Sequence, residues 1–119
     1  MNFDVAIDRR RTYVRVTITG QPEIGELLAL IHLLGVESET WSDDRVLVDL
    51  RRVDTPFSRY EQFRIGEEAA ASLSHMEKIA SLVPRERITR VSEKTARRMG
   101  ANVSVFDNEE CALVWLHEA

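Results

Sequence analysis

Two aspartates stand where a buried strand would hand them to solvent. Asp49 stands next to the end of the apolar run Val46-Leu47-Val48-Asp49-Leu50, and Asp54 follows in the next segment. A carboxylate in such a place can act as a base or a ligand group, or it can be tied to an arginine or to backbone amides. Arg51, Arg52, Arg59, Arg85 and Arg87 fall in the segments that would leave the carboxyl ends of neighbouring strands. Ser58 opens the helix that follows. In open parallel sheets, ligands favour that end. Arginine forks beside a helix N-terminus can hold an anion. The competing reading is a solvated rim in which Asp54, Glu61 and Glu86 offset the arginines.

Other reactive residues carry less. His32, His75 and His117 fall on different expected helices, without the spacing of a metal site. Gly20, Gly25, Gly35, Gly66 and Gly100 are dispersed, so neither a phosphate-cradling loop nor a nucleophile elbow is present. Cys111 falls in the first turn of the last expected helix, where a thiol pKa can drop, but Glu109 and Glu110 oppose this. Trp41 and Trp115 read as packing residues. We therefore expect no catalytic residues, no bound metal, no cofactor and no enzymatic activity.

Composition sets the class. A chain of 119 residues, 44% hydrophobic, suits one domain spanning residues 1–119 with a core of its own. A formal charge of -4 gives no electrostatic reason to expect nucleic acid. With one cysteine there is no internal disulfide. The first residues lack a secretory pattern, and no apolar run is long enough to span a membrane. The expected location is cytoplasmic.

The elements that must position these residues can be read from periodicity. Phe3–Asp8 and Tyr13–Thr19 alternate apolar and polar residues across a turn at Arg9, Arg10 and Arg11, which predicts a hairpin. Pro22 suits the first turn of a helix carrying Ile24, Leu27, Leu28, Ile31 and Leu34, with Gly35 as its stop. Arg45–Leu50 predicts a strand covered on both faces, and residues 51–57 a loop. Ser58 stands three residues before Glu61, the spacing of a capping box. Gly66 and Ala69–Ala71 give this helix a small-residue surface suited to packing on a sheet. Ile79–Val83 is a further strand. Ile88, Val91, Thr95 and Met99 predict a helix stopped by Gly100, Val103–Phe106 a last strand, and Asp107 with Glu110 the cap of a final helix. The order ββαβαβαβα predicts an α/β fold: a mixed, mostly parallel five-stranded sheet with four helices and the first strand at an edge.

The run Val46–Leu50, followed by Val53 and then Ser58, resembles the STAS domain of bacterial anti-sigma-factor antagonists. The whole chain is similar to the small SpoIIAA-like (STAS/SEC14) proteins over roughly residues 3–117. The match includes Phe57-Ser58, Glu67–Ala71, Lys78-Ile79-Ala80, Ala96, Gly100-Ala101, Val105-Phe106 and Ala112–Leu116. The resemblance implies a regulatory module that binds a protein partner and is switched by phosphorylation at Ser58. The antagonists carry Asp-Ser-Ser-Gly there, whereas this chain has Phe57-Ser58-Arg59-Tyr60. The SEC14 side of the resemblance implies a small apolar ligand such as a lipid, which would need a cavity between helix and sheet. A third reading is an enzyme using Asp49 or Asp54 with nearby arginines. A homodimer through Trp115 and the last helix is a further expectation.

Overall fold

A computed structural model describes residues 2–118. The chain runs β1 (Phe3–Arg9), β2 (Val14–Gly20), α1 (Ile24–Ser38), β3 (Arg45–Val53), α2 (Arg59–Leu73), β4 (Lys78–Leu82), a single 3-10 turn (Arg85–Arg87), α3 (Val91–Arg98), β5 (Val103–Phe106) and α4 (Glu109–His117). The strands lie in the sheet in chain order. β1 is antiparallel to β2, and β2 to β5 are parallel. The α/β class, the mixed five-stranded sheet and the four helices are as the periodicity predicts.

Chain order in the sheet has a consequence for the layers. Each parallel step moves in the same direction, and right-handed crossovers then place α1, α2 and α3 on one face. The larger core lies there, joining Val14, Val16, Ile18, Val46 and Ile79 to Leu27, Ile31, Ala70 and Ala96. Among the described residues α4 alone covers the other face, where Ala112 and Leu116 pack on Leu47, Ala80 and Leu82. It lies over β3, β4 and β5 and reaches β2 only through side chains, so among the described residues no helix covers the β1–β2 half of that face.

Several boundaries differ from the sequence expectation. α1 starts after Pro22: Glu23 is its N-cap, and the Glu26 carboxylate accepts from the Glu23 N–H at 2.8 Å. Gly35 does not stop α1 but lies inside it. A side chain there would come within 2.5 Å of the Ser72 carbonyl oxygen, so glycine is what lets α1 and α2 touch. Gly66 likewise faces α3, with the Ser92 carbonyl oxygen 2.6 Å from a hypothetical Cβ; at this position the close approach is to a helix, while Ala70 lies in the core shared with the sheet. Arg51–Val53 is strand, not loop, because β3 stays paired with β2 as far as Gly20 and Val53. Ile88 lies outside α3, which begins after Arg90 in a left-handed conformation (φ 63°). Asn108, not Asp107, caps α4, accepting from the Cys111 N–H at 3.0 Å.

At the open edge of β5, α3 supplies the hydrogen bonds that a further strand would make. The Glu93 carboxylate accepts from the Val105 N–H at 2.6 Å, and Arg97 Nε donates to the Val103 carbonyl. Side chains that occupy an edge in this way discourage strand addition.

Candidate functional site

Asp49 and its neighbours are built by alternation along β3. Leu47 points towards α4, so Asp49 and Arg51 share its side of the sheet. Between Thr17 and Thr19, β2 advances two residues while β3 advances from Asp49 to Arg52. The extra residue is a β-bulge, which re-aims the side chains that follow it. Leu50 and Val53 therefore both face the larger core, while Arg51 and Arg52 both line the opposite shelf with Arg15, Thr17 and Asp49. The shelf is an open basin of ≈ 450 Å³ on the half of the sheet that α4 leaves uncovered.

The Asp49 side chain is 9% exposed and fully bonded. Arg15 donates to its Oδ2 at 2.7 Å. Arg51 donates from its backbone N–H and Nε to Oδ1, both at 3.0 Å, and from a terminal nitrogen to Oδ2 at 2.8 Å. Glu109, from the first turn of α4, places Oε1 3.1 Å from nitrogens of both Arg15 and Arg51. Burial alone would raise the Asp49 carboxyl. The hydrogen bonds from Arg51 and the charges of Arg51 and Arg15 outweigh it and hold the group below the ordinary carboxylate value. The Asp49 hydrogen bond in turn raises Arg51, against the effect of burial. A carboxylate held ionised by two guanidiniums is a poor proton acceptor near neutral pH, which argues against Asp49 as a general base.

The remaining candidates lie elsewhere. Arg87 donates to the Val53 carbonyl and has a terminal nitrogen 4.0 Å from Asp54. Arg85 pairs with Asp107 at 3.0 Å. Ser58 caps α2: its hydroxyl accepts from the Glu61 N–H at 3.1 Å, and the Glu61 carboxylate accepts from the Ser58 N–H at 2.8 Å. Arg59 is exposed and forms no ion pair among the described residues. The sheet thus divides the arginines expected together: Arg51 and Arg52 lie on the α4 face, and Arg87 on the other. Arg15 and Glu109 were not singled out from the sequence. Arg15 carried a signal in principle, as a cation on the polar side of an alternating strand; Glu109 carried none.

A second feature lies on the face of α1, α2 and α3. A cavity of ≈ 390 Å³ opens between these helices and the sheet, lined by Leu27, Val48, Leu50, Phe57, Ile65 and Ala69 among others. Its exposed lining residues are Pro56, Glu86, Arg87, Thr89 and Arg90, which place the mouth at the carboxyl ends of β3 and β4. Ala69 belongs to the small-residue run of α2, and this short side chain leaves part of the space. Beside the mouth, the start of α2 exposes Tyr60 (66%) and Phe63 (41%). Trp115, by contrast, packs against Phe106 and under the Lys78 ammonium rather than outward. The histidines stay apart, His75 on Ser38 and His117 on Thr12. Among the described residues, no helix is long and apolar enough to cross a membrane.

A family model described as SpoIIAA-like matches residues 13–117. No curated protein matches by sequence. Among solved structures, the fold is similar to an anti-sigma factor antagonist from Mycobacterium paratuberculosis. The TM-score is 0.68 at 13% identity, over 98% of this chain and 95% of that one. It is also similar to an uncharacterized protein with a SpoIIAA-like fold from Shewanella loihica PV-4. There the TM-score is 0.59 at 14% identity, over 97% of this chain and 94% of that one.

Proposed function

This chain belongs to the SpoIIAA-like family, and on that footing we propose that it is a non-enzymatic regulatory module that docks a protein partner at the start of α2. The observation that carries this reading is the exposure of Tyr60 and Phe63 beside Arg59. Positions three and four apart share a helix face, so these side chains form one patch. Tyrosine and arginine are the residue types that dominate binding energy at interfaces. Arg59 has no ion pair among the described residues, so the fitting partner presents a carboxylate to Arg59 and an apolar pocket to Tyr60 and Phe63. Ser58 is exposed at the N-cap, next to the patch. A phosphate there would add about -1.5 to -2 charges where the helix dipole favours them, beside the cation the partner uses. Phosphorylation of Ser58 would then weaken docking by competing for Arg59.

The test is affinity capture from the source cells, followed by titration with the purified partner. Tyr60→Ala, Phe63→Ala and Arg59→Glu should each weaken that binding at least tenfold, about 1.4 kcal/mol. Val114→Asp, on the outer side of α4, should leave it unchanged. A partner that binds all of these variants alike would refute the surface.

The cavity favours a second reading, a carrier or sensor of a small apolar ligand. Its volume lies within the roughly 300–1,000 Å³ of small-molecule sites, and each methylene buried there gains about 0.8 kcal/mol. Native mass spectrometry after incubation with a fatty acid should show a retained mass, lost in Ala69→Leu, which fills the cavity. Apo protein only, in both, would dismiss this reading.

A further inference from the structure

The shelf on the far side of the sheet from Ser58 has no part in either reading. It gathers three guanidiniums, from Arg15, Arg51 and Arg52, against two carboxylates, from Asp49 and Glu109. The carboxylates differ in kind. Asp49 is buried and accepts four hydrogen bonds, so it belongs to the floor. Glu109 is 38% exposed, comes from another element, and sets one oxygen between two guanidinium groups. Its carboxylate stands where the oxygen of an incoming anion would sit.

Two observations point the same way. The bulge in β3 puts consecutive arginines, Arg51 and Arg52, on one side of the sheet, where regular alternation would separate them. Bulges recur where a strand must re-aim a side chain towards a site. Arg52, exposed on the rim, forms no ion pair with any described carboxylate, and the Thr17 side chain lines the same basin. With Glu109 swung aside, the shelf presents a net charge of two positive units over Asp49. That balance matches a doubly charged oxyanion, and paired guanidinium forks match its geometry.

We propose that the shelf formed by Arg15, Thr17, Arg51 and Arg52 is a binding site for a phosphoryl group, free or as a monoester, with Glu109 as its built-in competitor. The group enters from the uncovered β1–β2 half of the sheet and displaces the Glu109 carboxylate. It then takes hydrogen bonds from Arg15 and Arg51, while Arg52 and the Thr17 hydroxyl close on it from the rim. Because Glu109 lies in the first turn of α4, occupancy of the shelf releases one tie between that helix and the sheet.

The test is titration of the whole chain with inorganic phosphate, and separately with O-phosphoserine, at constant ionic strength held with chloride. Binding is read by calorimetry and by the NMR signals of the arginine Nε–H groups. Wild type should bind weakly, with shifts at Arg15, Arg51 and Arg52. Removing the competitor in Glu109→Gln should tighten binding roughly tenfold, equivalent to 1.4 kcal/mol. Arg52→Met, a change at an exposed position, should weaken it by a similar factor. Equal response to both probes assigns recognition to the phosphoryl group alone; response to O-phosphoserine only assigns the site to monoesters. Should phosphate and chloride act alike on wild type and on Glu109→Gln, with Arg signals unmoved, the cluster is a structural ion-pair network and the proposal fails. If Glu109→Gln loosens α4, Arg52→Met against wild type still decides.

Discussion

Asp49→Asn tests the electrostatics of the shelf most directly. The native carboxylate accepts four hydrogen bonds from two arginines. The substitution keeps the size but removes the charge, and its amide N–H groups face guanidinium donors. Arg15, whose side chain is 14% exposed, then loses its nearest counter-charge. Removing one partner of a buried ion pair costs roughly 3–5 kcal/mol. Glu109 still faces both guanidiniums and Arg51 is 38% exposed, so the expected loss is about 2–3 kcal/mol. At roughly 3–5 °C per kcal/mol for a chain of this length, Tm should fall by about 10 °C. Replacing all three members, as Arg15→Met and Arg51→Met with Asp49→Leu, should restore most of the loss, because apolar residues of similar volume remove the desolvation cost as well as the attraction.

The effect carries a pH signature. The Asp49 carboxyl is lowered in the native state, so on acidification the unfolded chain takes up its proton first. The contribution is complete above the ordinary carboxylate value, about 3.9, and is lost as pH falls below it through the lowered native value. Urea unfolding followed by tryptophan fluorescence, from pH 7 downward, should show wild type and Asp49→Asn converging in that acid window. A difference below about 0.5 kcal/mol at pH 7, or one that persists unchanged at the acid end, would refute the reasoning.

Two further predictions concern the helices. Ser58→Ala should cost about 1 kcal/mol in urea unfolding, since it removes the hydroxyl that accepts from the Glu61 N–H; no loss would mean that water caps α2 equally well. Gly66→Ala should destabilise by about 1–3 kcal/mol despite better helix propensity, because its Cβ would lie 2.6 Å from the Ser92 carbonyl oxygen. Gly25→Ala, with no described atom beyond its chain neighbours and its own turn of helix within 4 Å of the new Cβ, should instead stabilise by about 0.4–1 kcal/mol. A shared sign for the two glycine variants would show that α2–α3 packing is not the reason for Gly66.

Local pattern was enough for the elements and for one cap. The alternation of Val14, Val16 and Ile18 gave a strand whose inner face is buried, and Ser58 with Glu61 gave the box that opens α2. Both depend on groups within a few residues of each other, so the sequence contains them. The reading of Gly35 as a helix stop failed because its reason is a neighbour, Ser72, on another helix. Asp107 offers the same capping chemistry one residue before Asn108, so spacing alone does not separate the two.

By itself, then, the sequence determined which segments are strands and helices, their order, and the charged residues available at the strand ends. The tertiary structure decided the company those residues keep. Side-chain alternation is fixed within a strand, but the bulge that turns Arg51 and Arg52 to one side arises from the register of β3 against β2. Placing α1, α2 and α3 together on one face put Arg87 and Ser58 across the sheet from Asp49. Glu109 reaches Arg51 over a separation of 58 residues only because α4 alone covers the opposite face. Register and layering are cooperative properties of distant segments, and no local pattern encodes them.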